Sequence, residues 1–179
     1  NGAGIGAGND SEVSGRIIIT GDNAASGYGT RGEALAGGRG LDITAVASYG
    51  RNEGSDEEPA EYENEAAAIG SGKATCGDIS ISNAVLHTKA DCQGADIGGG
   101  GYHVDPSGAI ANITINNCEI TSASTHKVAP GIGAGYGGTV HNITISNSKY
   151  TGSGIGGAPM DWNYTNLNDV QKIHIANSD

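Results

Sequence analysis

Apolar and polar residues alternate in short runs that recur along the chain. The runs are GRIIIT (Ile17, Ile19), LDITAV (Leu41, Ile43), GDISISN (Ile79, Ile81), ANITINN (Ile113, Ile115), HNITISN (Ile143, Ile145) and QKIHIAN (Ile173, Ile175). Because successive side chains of a strand point to opposite faces, this alternation predicts half-buried β-strands. In the last four runs the outward positions are Ser80, Thr114, Thr144 and His174.

A glycine-rich motif precedes each of these runs. Its copies are GAGIGAG (Ile5), AAAIGSG (Ile69), GADIGGG (Ile97), PGIGAG (Ile132) and GSGIGGA (Ile155), with a degenerate copy, EALAGGRG, at Leu35. Glycine adopts positive φ without strain and lets neighbouring backbones approach closely. The motif therefore predicts a tight corner that returns in every repeat.

A third pattern follows the alternating runs. Asparagine stands two residues after the second aliphatic residue of four runs, at Asn83, Asn117, Asn147 and Asn177. Three residues after the first three of these come Leu86, Ile120 and Tyr150, which predict a third strand. Stacked asparagines at a corner can hydrogen bond to one another in a ladder.

Together the repeats predict an all-β fold, a parallel β-solenoid of about six coils that forms one domain over residues 1–179. The gaps between motifs are rich in turn-forming residues and show no helical period. The pattern resembles the right-handed parallel β-helix (pectate-lyase-like) superfamily, and its GIGxG variant resembles repeats of large bacterial surface proteins. The resemblance implies a fold and no chemistry. A flexible glycine-rich linker is the alternative, and the chain is expected to be a segment of a longer protein.

The composition is rich in glycine, with 32 of 179 residues, and acidic, with a net charge of −11. An acidic chain argues against nucleic acid and anionic membrane surfaces as partners, and no apolar run approaches the ~20 residues of a membrane span. Residues 50–66 form a predicted acidic surface loop. Its Asp56, Glu57 and Glu58 are the candidates for calcium, and no other cofactor is expected.

Three cysteines, Cys76, Cys92 and Cys118, occur without a CxxC pair, which gives a structural zinc site little support. We expect small, buried, unpaired thiols. Cys76 and Cys92 fall on opposite sides of the glycine-rich strand, so a disulfide between them is not expected.

Candidate binding residues lie in the loops that join the glycine-rich motif to the alternating run, because stacked coils bring these loops to one flank. The candidates are Tyr102, His103, Asp105, Tyr136, His141, Asp161, Trp162 and Tyr164. Exposed aromatic rings stack on sugar faces, and carboxylates bind sugar hydroxyls. Alternatively, Trp162 and Tyr164 cap the end of the core.

Three functions are therefore open. The first is an extracellular or cell-surface module, structural or adhesive, whose loops bind polysaccharide or glycoprotein glycans. The second is a β-helix polysaccharide lyase or glycoside hydrolase, although no catalytic signature such as HExxH or GxSxG is present. The third is ice binding through the outward Ser and Thr residues. The sequence does not determine the oligomeric state.

Overall fold

The computed structural model describes residues 3–6, 13–21, 41–47, 66–72, 76–90, 93–101, 110–124, 129–135, 138–157 and 169–179. Over these ranges the chain forms fourteen β-strands in three parallel sheets and no helix. Each strand pairs in parallel with its equivalent from the next repeat, so the repeats stack on one another. This arrangement is consistent with a parallel β-helix.

The chain passes through the three sheets in turn. The first sheet contains β1 (Ile5–Gly6), β4 (Ile69–Gly70), β7 (Ile97–Gly98), β10 (Ile132–Ala134) and β13 (Ile155–Gly157). The second contains β2 (Ile17–Thr20), β5 (Ile79–Ser82), β8 (Ile110–Asn116), β11 (Thr139–Ser146) and β14 (Asp169–Ala176). The third contains β3 (Leu41–Ala47), β6 (Ala84–Ala90), β9 (Glu119–Ser122) and β12 (Lys149–Thr151). We call one passage through the sheets a coil; the described strands make five, the last of them with β13 and β14.

One sequence assignment was wrong. The run LDITAV was predicted to be an alternating strand of its own coil, but Ile43 pairs with Leu86 in the third sheet. Alternation identifies a half-buried strand but does not identify its sheet. In the first coil Gly21 stands at the corner where later coils have asparagine, so the residue that marks this corner elsewhere is missing. Moreover, Ile5 pairs directly with Ile69, so no strand lies between them. The copy at Leu35 lies outside the described residues, and a sixth coil is not confirmed.

The core is a set of aliphatic ladders. In the second sheet Ile79 and Ile81 pair with Ile113 and Ile115, and all four are buried. Each such side chain contributes roughly 1.5–3 kcal/mol of burial free energy. Leu86, Ile120 and Tyr150 stack in register in the third sheet, which confirms the predicted third strand. A chain without phenylalanine thus builds its core mainly from isoleucine and alanine repeated along an axis.

The asparagine corner is confirmed, and the glycines of the first sheet have the expected positive φ but lie within strands and not at a corner. The first-sheet glycines have φ between 131° and 141°, at Gly6, Gly70, Gly98, Gly133 and Gly156. The asparagine corners have φ of 49° to 56°, in the left-handed region. Asn117 Nδ2 donates to Asn83 Oδ1 at 2.7 Å and Asn177 Nδ2 to Asn147 Oδ1 at 3.4 Å. Asn147 Nδ2 departs from the pattern and donates to Asn116 Oδ1 at 3.0 Å.

The described cysteines are free thiols. Cys76 and Cys118 are both buried, and this burial raises the pKa of each thiol above its ordinary value. Cys92 lies outside the described residues. Cys76 is therefore unbridged, as the sequence predicted.

Candidate functional site

Residues of the second sheet and those just before its strands, most of them with outward side chains, line an open groove of about 680 Å³, which we call the polar groove. The lining residues are Arg16, Ile18, Asp78, Ile79, Ser80, Asn112, Thr114, Asn142, Thr144, Lys172 and His174. They come from all five coils, and parallel coils are about 4.8 Å apart. The groove therefore runs about 19 Å along the stack.

One row of the polar groove is built from carboxylate and amide groups. Asn112 Nδ2 donates to Asp78 Oδ1 at 2.8 Å, and Asn142 Nδ2 donates to Asn112 Oδ1 at 2.7 Å. Lys172 continues the row, because it pairs in register with Asn142. Each amide is held by its neighbour, so the row presents polar groups in fixed orientations without a ligand.

A second row runs beside the first and carries hydroxyl groups. In register, Ile18 lies next to Ser80, Ser80 next to Thr114, Thr114 next to Thr144, and Thr144 next to His174. These positions point away from the core because they alternate with the buried isoleucines of the same strands. The prediction that Ser80, Thr114, Thr144 and His174 face outward is confirmed.

The charges of the polar groove differ from those of the whole chain. Arg16 and Lys172 line it together with Asp78, although the chain as a whole carries a net charge of −11. The basic side chains lie on the first and last coils, and hydroxyls and amides lie between them. Such a surface can accept hydrogen bonds from a polar ligand and donate hydrogen bonds to it along its whole length.

Of the predicted loop residues, the structure describes His141. This side chain is exposed on β11 and lines a small cavity of about 180 Å³ with Ile110, Thr139, Val140 and Gln171. Its neighbour in sequence, Asn142, lines the polar groove. His141 therefore lies on a strand of the second sheet and not in a loop, which corrects its predicted position. The remaining candidates lie outside the described residues: Tyr102, His103, Asp105, Tyr136, Asp161, Trp162 and Tyr164.

Asp96 is a buried carboxylate whose setting sequence reasoning missed. It accepts hydrogen bonds from the backbone N–H of Ala90, from Ser122 Oγ and, at 3.2 Å, from the backbone N–H of Ser124. Ala90 ends β6, and Ser122 and Ser124 lie at the end of β9. The Asp96 carboxylate therefore links the ends of two neighbouring third-sheet strands and stabilises this corner. The sequence did mark this position as unusual. The residue before the isoleucine of the glycine-rich motif is Gly or Ala in the other described coils and Asp in this one.

Comparison of the chain with known protein families, curated proteins and solved structures finds no match. Within the described ranges, no helix is long and apolar enough to cross a membrane. In the same part of the chain, no three His, Cys, Asp or Glu side chains are grouped to hold a metal ion. The calcium candidates Asp56, Glu57 and Glu58 lie outside it.

Proposed function

We propose that this chain is a carbohydrate-binding module of an extracellular or cell-surface protein, built on a right-handed parallel β-helix. The observation that supports binding is the polar groove. Its hydroxyl and amide rows offer donors and acceptors at a spacing of about 4.8 Å along an open path. A linear glycan carries hydroxyls along its length and fits such a surface better than a compact apolar ligand does.

The groove also refines the site predicted from sequence. The loop candidates around Trp162 and Tyr164 supply aromatic rings, which the described groove residues do not contain. Exposed rings stack on sugar faces. Because His141 on β11 is exposed and adjacent in sequence to Asn142 in the groove, we propose that one glycan contacts both the polar groove and the loop candidates.

A matched pair of double variants tests the groove. Thr114→Val with Thr144→Val removes two groove hydroxyls while keeping side-chain shape and strand propensity. Thr121→Val with Thr151→Val makes the same change in the same two coils on the third sheet, where Thr121 and Thr151 are exposed and in register. On a glycan array and in affinity electrophoresis, we expect the first double variant to bind at least about tenfold more weakly than the parent and the second to bind like it.

Two results would contradict the proposal. Equal binding by the parent and the groove variant would show that the polar groove is not part of the binding site. If the parent bound no glycan of a broad panel, the proposed function would be wrong. Trp162→Ala and Tyr164→Ala, measured in the same assay, separate the loop contribution from the groove contribution. The polysaccharide lyase or glycoside hydrolase alternative predicts new reducing ends or unsaturated products in the same panel. Ice binding is measured separately as thermal hysteresis.

A further inference from the structure

The polar groove changes character at its first coil. In the outward row of the second sheet, the position that carries a hydroxyl in Ser80, Thr114 and Thr144 carries an isoleucine, Ile18. Ile18 is 55% exposed, whereas the isoleucines on either side of it in sequence are buried. The outward orientation follows from this alternation, so the exposure of Ile18 belongs to the groove and not to the end of the stack.

The described ranges contain other exposed aliphatic side chains, but Ile18 differs from them in its place. Leu41 and Val46 lie on the third sheet, and Ile173 and Ile175 belong to the last described coil. Ile18 lines the polar groove. A single isoleucine on an open surface needs no explanation. Within a groove of hydroxyls and amides, however, it adds an apolar contact of the kind that ligand sites use.

Polar groups surround Ile18 on the same face of the sheet. Arg16 stands two residues before it on β2's outward side, Ser80 lies beside it in the next coil, and both line the groove. The Arg16 guanidinium carries N–H donors, and the Ser80 hydroxyl can donate or accept. An apolar surface flanked by hydrogen-bonding groups therefore forms this end of the groove.

We infer that Ile18 forms a subsite for the N-acetyl group of an amino sugar, an inference that rests on the proposed glycan binding. An acetamido substituent joins a methyl group to an amide. The methyl group packs on Ile18, while Arg16 or Ser80 donates to the acetamido carbonyl. A deoxy sugar such as fucose also offers a methyl group, but it has no carbonyl to use the neighbouring donors. The hydroxyls of Thr114 and Thr144 then contact the following sugars of the chain.

Two oligosaccharides of equal length test this inference. The chitin tetramer and the cellulose tetramer share one linkage and differ in the substituent at a single ring carbon, which is acetamido in the first and hydroxyl in the second. By titration calorimetry the parent is expected to bind the chitin tetramer at least about fourfold more tightly, the effect of burying roughly one methyl group. Ile18→Thr gives the first coil the residue type of Thr114 and should abolish this preference, whereas Ile18→Val should retain it.

A matched control and a direct readout accompany the titrations. Val46→Thr makes a similar change on the outward face of the third sheet in the same coil, where Val46 is 45% exposed, and this variant should bind like the parent. In saturation-transfer NMR, the acetyl methyl protons should receive the strongest saturation with the parent and lose it with Ile18→Thr. An unchanged thermal melt shows that the variant is folded.

The outcomes separate this inference from the proposed function. Equal affinity of the parent for the two tetramers, or an unchanged preference in Ile18→Thr, would overturn the inference while the binding of other glycans still supported the function. A preference for fucosylated over N-acetylated glycans on the array would also overturn it. If the parent bound no glycan at all, the proposed function would be wrong and the inference with it.

Discussion

Gly98 lies against Gly133 of the next coil so closely that a Cβ atom added to Gly98 would stand 2.0 Å from the Gly133 carbonyl oxygen. The contact recurs down the first sheet, since Gly6 and Gly70 meet the next glycine at 1.9 Å in the same way. Gly98 also has a φ of 137°, which side-chain-bearing residues rarely adopt. The glycine repeat is therefore a steric requirement of the stacking distance.

Gly98→Ala should destabilise the protein strongly. Backbone strain alone costs about 1–3 kcal/mol, and displacement of a backbone carbonyl adds to it. For a chain of this size we expect the melting temperature to fall by at least about 6–10 °C. Gly154→Ala is the matched control, because a Cβ atom there meets nothing within 4 Å. Equal melting temperatures for the two variants would show that the coils move apart at little cost in stability, so that the glycine contact is not a steric requirement.

Asn117 makes two contributions that substitutions can separate. Asn117→Gly keeps the left-handed conformation but loses the hydrogen bond to Asn83 Oδ1, which should cost about 0.5–1.5 kcal/mol. Asn117→Ala loses the bond and also strains the backbone by roughly 1–2 kcal/mol more. Urea unfolding should therefore rank the alanine variant below the glycine variant. The reverse order would mean that the φ of 56° contributes nothing.

Asp96→Ala should destabilise the protein by about 3 kcal/mol or more, because Ala90, Ser122 and Ser124 would lose a buried hydrogen-bond acceptor. Asp78→Asn changes a carboxylate that is exposed in the polar groove, and its effect should stay within about 1 kcal/mol. Chemical denaturation of both variants at neutral pH makes the comparison. Similar losses would argue that Asp96 does not brace its corner.

Tyr150 makes stability depend on alkaline pH. Burial raises the pKa of its hydroxyl above the ordinary 10.0, and the Asp96 charge adds to this. The folded protein then keeps the phenolic proton to a higher pH than the unfolded chain does. Stability is complete below about pH 10 and falls as the pH rises above it.

Tyr150→Phe tests this dependence. The variant loses the hydrogen bond to the Ser153 carbonyl at 2.6 Å, so it should be less stable near pH 7 by about 1 kcal/mol. Its melting temperature should fall less steeply than that of the parent between about pH 9.5 and 11. The buried thiols of Cys76 and Cys118 titrate with the same sign in both proteins. If the melting temperatures of the parent and the variant fell in parallel as the pH rises, the loss of stability at alkaline pH would come from groups other than Tyr150.

Local patterns allowed much of the fold to be predicted. Alternation around Ile113 and Ile143 placed the second sheet, and the asparagines marked the corner that leads to the third, because both signals depend on residues close in sequence. The run at Leu41 was assigned to the wrong sheet, because strands of the second and third sheets show the same alternation. Its pairing with Ala84 is long range, and no local signal specifies it.

The candidate site was harder to predict. The outward orientation of Thr114 and Thr144 followed from alternation, but the groove they line depends on Arg16 and Lys172, which lie four coils apart in the stack. Sequence reasoning favoured the loops because aromatic residues are conspicuous there. A row of ordinary polar residues becomes a surface only when the register is known.

The amide dipoles of the asparagine ladders are aligned along the stack. Asn142 donates to Asn112, Asn112 to Asp78 and Asn117 to Asn83, so these side-chain N–H groups all point toward the first coil. Dipoles that are aligned in this way add, as they do along a helix, and leave their negative end toward the last coil. Lys172 lies at that end, beside Asn142. The amide N–H groups of the row thus face the first coil, where they meet the carboxylate of Asp78.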